Sequence, residues 1–272
     1  MATMPFSDPA FRKISEIMYE AAGLSYNDSK KSLIQSRLAP RIQRLGLAGF
    51  EDYIAILEDE TQAAEFQMAV DLLTTNETYF FREPKHYELL EREIGARKSR
   101  APLAVWSAAS SFGDEAYSTA MLLADMQTVG KIGPDWTILA TDISHRVLLS
   151  AKEAVYPADR LRAVSPDRLR RYCLRGDGPS EGQIMVSEKI RKHVQFGQLN
   201  LCKPFSGLGP FDVIFLRNVL IYFDAATKRE VVDRVLTALK PGGLFFLGTA
   251  EGRVPCETPL LPVQPGAFRK PE

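Results

Sequence analysis

Five short apolar runs follow Pro102: LAVWSAA, WTILATDI, VQFGQLNL, FDVIFLRN and GGLFFLGTAE, several of them separated by stretches of helical pattern. Each has the length and the β-branched or aromatic content of a buried strand. Strands that alternate with helices imply an α/β architecture, a mostly parallel sheet covered by helices on both faces. Ligands of such sheets bind outside the carboxyl ends of the strands, so the residues just after each run are the informative ones.

The segment from about 155 to 193 breaks the alternation. It holds a Gly/Pro turn followed by the short run QIMVS, and reads as an inserted small β-subdomain or hairpin. Residues 1–75 have a different period. Asp8 with Pro9 supplies an N-cap and a first-turn residue, then Phe11, Ile14, Met18 and Ala21 recur at helical spacing until Gly23. A second helix carries Ile34, Leu38 and Ile42, with Pro40 expected to kink or divide it, and two more helices follow. The chain thus divides into a helical domain (1–75), a linker (76–101) and an α/β domain (102–272) whose proline-rich end leaves AFRK as a last edge strand.

Composition excludes several classes. Among 272 residues, 34 Lys and Arg balance 34 Asp and Glu, which argues against a nucleic-acid binder. The three cysteines and three histidines are scattered without metal-ligand spacing, so no metal site is expected. No run is long enough to span a membrane and the start lacks a secretion signal, making a cytoplasmic location the default.

After the first strand, SAASSFGDEAYS offers small side chains, a glycine for a tight turn, and Asp114 and Glu115 at a helix start. Both acids also suit the positive end of that helix. This is neither GxGxxG nor a phosphate loop. Asp142 ends the second strand, where a carboxylate can accept from both hydroxyls of a ribose, or can cap the helix that follows. Asn200 follows a third strand. Arg217 and Asn218 interrupt an apolar run, which is costly in a buried strand unless partners satisfy them. A nucleoside held by carboxylates and amides without a phosphate loop suits S-adenosylmethionine better than a dinucleotide.

The motifs TTNETYFFRE, VWSAASSFGDEAYSTAMLL, ILATDIS, QFGQLNL, FDVIFLRNVLIYFD and LKPGGLFFLGTAE resemble, in order and spacing, those of the CheR family of chemotaxis receptor methyltransferases. The resemblance runs from the N-terminal helices to about Glu251. It implies a class I S-adenosylmethionine-dependent methyltransferase domain with an inserted β-subdomain behind a helical domain. It also implies methyl transfer to glutamates on the cytoplasmic helices of chemoreceptors, giving a methyl ester and S-adenosylhomocysteine. By the same resemblance Asn76, Thr78 and Arg82 close over the cofactor, Asp114 takes a cofactor-binding position, and Asp142 holds the ribose. Asn200 with Leu201 and Arg217 with Asn218 would line the adenosyl pocket, while Arg82 and Tyr222 face the substrate carboxylate. Some members also tether a receptor's C-terminal peptide by adding a strand to the β-subdomain.

Lys30, Arg37, Arg41 and Arg44 recur along one face of the second helix. They form either a solvated face or, as the family implies, a basic stripe for the acidic helices of a receptor. The family usually has Glu at the position of Asp114 and Pro at that of Ala116. These departures keep open a second reading, a catalytically weak cofactor-binding adaptor for receptors or signalling partners.

Overall fold

A computed structural model describes residues 4–97, 100–252 and 255–272. Residues 1–3 of the expected helical domain, 98–99 of the linker and 253–254 of the tail lie outside them. The first part is helical: α1 (Asp8–Ala22), α2 (Lys31–Arg44), α3 (Phe50–Glu58) and α4 (Ala63–Leu73) enclose their own core, with Ile14, Met18, Ile34, Leu38 and Tyr53 buried. Ser7, not Asp8, caps α1, its hydroxyl accepting from the Ala10 N–H at 3.1 Å; Asp8 is the first helical residue and Pro9 follows it. A one-residue shift of this kind is decided by which side chain reaches back into the first turn. Gly23 ends α1 with φ +68°. Pro40 does not divide α2, which runs unbroken past it. Ser36, whose carbonyl loses its helical donor to the proline ring, is exposed, so water can serve it.

After α5 (Pro84–Gly95) the chain builds its main sheet from β1 (Leu103–Ser107), β2 (Trp136–Asp142), β6 (Val194–Gln198), β7 (Phe211–Leu216), β8 (Leu239–Leu247), β9 (Leu261–Gln264) and β10 (Ala267–Arg269). The order is β6-β2-β1-β7-β8-β10-β9; the first five strands are parallel, and β10 runs antiparallel to both β8 and β9. All six residues of β7 are buried, as expected of a central strand covered on both faces. AFRK forms β10 but is not the edge: LPVQ closes outside it as β9. Helices α6 (Asp114–Thr128), α7 (His145–Glu153) and α10 (Ala225–Thr237) connect and cover the strands. Between β2 and β6 lies a separate antiparallel sheet of β3 (Val155–Pro157), β4 (Cys173–Arg175) and β5 (Gln183–Val186), with α8 (Pro166–Tyr172) and α9 (Glu188–Arg191) beside it.

Strand order reverses at β1: the chain adds β2 and β6 on one side of it, then β7 and β8 on the other. That switch point opens a crevice at the carboxyl ends of the strands. The helical domain closes it. Asn200 Nδ2 donates to the Ala21 carbonyl at 2.6 Å, Cys202 Sγ to the Ala22 carbonyl at 3.3 Å, and Ser25 N–H to the Tyr222 carbonyl at 3.0 Å.

Candidate active site

The crevice holds about 930 Å³ of empty space, part of it open to solvent. Ala108 and Ala109 after β1, Asp142 after β2, Leu199–Leu201 after β6 and Arg217–Val219 after β7 form its floor; residues 74–79 and Arg82 form one wall. Small side chains after β1 let a ligand approach the backbone. Gly113 makes the turn into α6 at φ +86°, and a Cβ there would stand 3.1 Å from both Ala151 and Phe196. Among the described residues five others take left-handed conformations without being glycine, with φ from 51° to 58°: Ala154, which ends α7, and Phe81, Glu83, Ser111 and Asn218. The last four line the crevice or flank Arg82. Strain gathered in this way is held by the surrounding contacts and is typical of functional sites.

Asp142 is buried, and each of its oxygens takes one backbone donor, Ser111 N–H at 2.8 Å and Ser144 N–H at 2.9 Å. Each oxygen keeps acceptor capacity for a further hydroxyl. Burial pushes its carboxyl above the ordinary range, and the backbone donors oppose that rise. The helix that follows is capped by Ser144, so capping is not the task of Asp142.

A buried ion network fixes the other side. Arg217 donates from Nη1 to Glu115 at 3.0 Å and from Nη2 to the Arg82 carbonyl, and stands 3.3 Å from Glu83. Glu115 also accepts from Ser107 Oγ at 2.7 Å. Burial drives the Glu115 carboxyl up against the pull of Arg217. Glu251 accepts from the N–H groups of Asn218, Leu220 and Gly248 at 2.7 to 2.8 Å, which holds the loop after β7 in shape. The Tyr222 hydroxyl is 3.4 Å from the Thr75 carbonyl, and burial raises its pKa above the ordinary 10, keeping it a proton donor. Arg82 donates to the Glu77 carbonyl at 3.2 Å and lies over the Tyr79 ring, with no ion pair among the described residues.

Of the residues singled out from sequence, Asn76, Thr78, Arg82, Asp142, Asn200, Leu201, Arg217, Asn218 and Tyr222 all line this one crevice. Asp114 does not. It is fully buried and pairs bidentately with Arg160 at 2.7 and 2.9 Å, because the phase of α6 turns it toward the inserted subdomain. Glu115, one position on, faces the crevice instead. The amide of Asn200 is engaged by Ala21 and by the Cys202 N–H, so it joins the two domains as well as lining the pocket.

The basic face of α2 is not one surface. Lys30 ends the 3₁₀ turn before α2 and, like Arg44, is exposed, but Arg37 donates to the carbonyls of Leu73 and Thr74 at the end of α4 and to Thr75 Oγ1, and Arg41 is paired with Glu65. Unsatisfied carbonyls at a helix C-terminus attract a cation, which draws Arg37 inward. Glu83, Glu251 and Ser111 carry no signal in the sequence pattern, and Glu115 is marked there only by its place beside Asp114 at the same helix start.

No described group of His, Cys, Asp and Glu could hold a metal ion. A buried acceptor at the end of β2, small residues after β1 and a carboxylate at the start of α6 fit the ribose hydroxyls and the ammonium group of S-adenosylmethionine. With a sheet of this order, they define a class I S-adenosylmethionine-dependent methyltransferase. Comparison narrows the class. Residues 76–259 match the CheR methyltransferase SAM-binding domain and residues 9–74 the CheR methyltransferase all-alpha domain. A chemotaxis protein methyltransferase of Escherichia coli is 42% identical over 249 residues, covering 91% of this chain and 86% of the relative. Its Salmonella typhimurium counterpart is 40% identical, with 91% and 85% covered, and chemotaxis protein methyltransferase 2 of Pseudomonas aeruginosa is 40% identical, with 90% and 86% covered. The chain belongs to the CheR family of methyltransferases.

Proposed function

We propose that the protein transfers the methyl group of S-adenosylmethionine to glutamate side chains on the cytoplasmic helices of chemoreceptors, as a protein-glutamate O-methyltransferase. The observation that carries this reading is Arg82: a guanidinium at the crevice wall with no carboxylate partner among the described residues, in the same cavity as Asp142 and Tyr222. It calls for an anionic substrate group.

The cofactor supplies an activated methyl group on a sulfonium, and the chemistry asks little acid-base help of the protein. A glutamate with a pKa of about 4.3 is already ionised at neutral pH. Its carboxylate oxygen forms the new bond to carbon as the carbon–sulfur bond breaks, and the electron pair remains on sulfur; no proton moves. The protein's task is placement and exclusion of water. Asp142 would hold the ribose, and Asn76, Thr78, Leu201 and Asn218 would enclose the nucleoside. Glu115 would meet the ammonium group, and Arg217 would keep Glu115 ionised and aimed. Arg82 would grip one substrate oxygen without removing its charge, while Tyr222 orients the other through its phenol. A cytoplasmic location goes with this substrate. A receptor's C-terminal peptide would add to the small sheet at β4, an edge strand with Leu174 exposed.

The test is incubation with a receptor cytoplasmic fragment and methyl-labelled cofactor, reading base-labile label released as methanol. Arg82→Ala should lower turnover about 10²-fold while affinity for S-adenosylhomocysteine, measured by calorimetry, changes little. Equal losses in both would assign Arg82 to the cofactor.

A further inference from the structure

Outside the strap formed by residues 74–79 and Arg82 lies a second, more open cleft, lined on its other sides by Arg37, Asp71, Phe112, Arg146 and Arg160. The strap is therefore a wall common to both spaces. Four guanidinium groups face the outer cleft against two carboxylates, Asp71 and Glu77. Asp71 is already occupied, accepting from Gln67 Nε2 at 3.0 Å and from the Arg146 N–H at 3.2 Å, and Arg160 is matched by Asp114. Arg37 is held by carbonyls, leaving Arg82 and Arg146 as the two groups free to take an outside anion.

Arg146 occupies an unfavourable place for a merely structural residue. It stands in the first turn of α7, a turn without an acidic residue, where the helix dipole repels a cation. Its side chain is exposed, leans over the Phe112 ring at 5.8 Å, and makes no ion pair among the described residues. Phe112 and the exposed Tyr79 add apolar surface on which the stem of a long acidic side chain, or the flank of a helix, can rest.

Building on the proposed function, we infer that the outer cleft is a specificity site for the acidic protein substrate: Arg146 reads a second carboxylate, one helical turn from the glutamate whose carboxylate Arg82 takes. Side chains three or four apart on a helix stand about 5–6 Å from each other on one face. A substrate helix lying across the strap therefore offers one carboxylate to each space. Arg146 is a positioning residue in this scheme, since it touches the substrate away from the reacting atoms.

The experiment compares wild type with Arg146→Glu on a receptor cytoplasmic fragment, and on the same fragment with the acidic residues three and four positions from the methylated glutamate changed to their amides. Arg146→Glu should raise KM about five- to tenfold at low salt, with kcat and affinity for S-adenosylhomocysteine retained. The gap should narrow as salt is added. The amide substrate should weaken wild type by a similar factor and the variant much less. Glu at 146 gains from the helix dipole but stands near Asp71, which accepts the N–H of residue 146, so Arg146→Gln is run beside it; a raised KM in both variants at unchanged Tm of Arg146→Gln separates lost recognition from lost folding. Methylation by wild type with an unchanged KM in the variant would overturn the inference alone. A wild type that binds S-adenosylhomocysteine yet methylates no receptor fragment would overturn the proposed function, and this inference with it.

Discussion

Replacing Arg217 with Met tests whether the buried ion network holds the crevice together. Arg217 is only 6% exposed, and its substitution removes the partner of Glu115 at 3.0 Å, a guanidinium 3.3 Å from Glu83, and the donor to the Arg82 carbonyl. Breaking a buried pair by deleting one side costs about 3–5 kcal/mol, since the other charge is left without compensation. At about 2–4 °C per kcal/mol for a chain of this size, Tm should fall by about 6–20 °C. The double variant Arg217→Met/Glu115→Leu removes the stranded carboxylate and should recover about 2–3 kcal/mol of the loss in a double-mutant cycle. The pH dependence has a definite sign. Burial already holds the Glu115 carboxyl above its ordinary range, and without Arg217 it rises further. A carboxyl raised in the folded state favours folding in acid and loses that contribution as pH rises through the folded pKa. The single variant's deficit should therefore be larger at pH 8 than at pH 5. Thermal and urea unfolding of the ligand-free protein give both readings. A loss below about 1 kcal/mol, or a coupling near zero, would refute the view that Glu115 depends on Arg217.

Asp142→Asn keeps the shape of a buried acceptor but removes its charge and one of its acceptor oxygens. Affinity for S-adenosylhomocysteine should drop at least about tenfold by calorimetry, and Tm of the free protein should fall modestly, because the amide nitrogen faces one of the two backbone donors, Ser111 N–H or Ser144 N–H, and leaves it without an acceptor. His86 is buried beside Glu83 and donates from Nε2 to the Pro265 carbonyl at 3.1 Å; burial and the Arg217 charge hold its pKa below the ordinary 6.5. A base whose folded pKa is depressed contributes stability that is present above its unfolded pKa and lost as pH falls through the folded one. Wild type should thus lose Tm below about pH 6.5 more steeply than His86→Gln, and parallel curves would show that His86 does not titrate with folding.

The parts of the molecule visible in its sequence were those set by local pattern. The apolar runs are strands, the acid at the end of β2 reaches the crevice, and Arg217 and Asn218, which need partners between apolar runs, find them in Glu115, Glu83 and Glu251 at the crevice. What stayed hidden depended on phase and on distant contacts. Asp114 and Glu115 are chemically alike and adjacent, but successive helical residues point about 100° apart, and the phase of α6 sends Asp114 to Arg160, 46 positions away, and Glu115 to the crevice. Arg37 shares the face of Lys30 and Arg44, yet the free carbonyls of α4 draw it inward, a pairing that no helical spacing reveals. Glu251 shows the same limit: its function rests on three backbone N–H groups that come together only when β7 and β8 lie side by side.

The helical domain is a wall of the crevice as well as a neighbour to it. The end of α1 is bonded to Asn200 and Cys202 on the crevice floor, Ser25 to Tyr222, and Gln67 of α4 to the Ile143 carbonyl beside Asp142. The strap leaves α4 under the guanidinium of Arg37 and is pinned again where Ser111 Oγ donates to the Asn76 carbonyl at 2.7 Å. A ligand in the crevice would touch both domains and the strap at once, and would therefore stabilise their assembly by binding it in preference to any separated state. The same strap forms the inner wall of the arginine cleft. A ligand in the crevice and one in the arginine cleft would then meet the same segment from opposite sides.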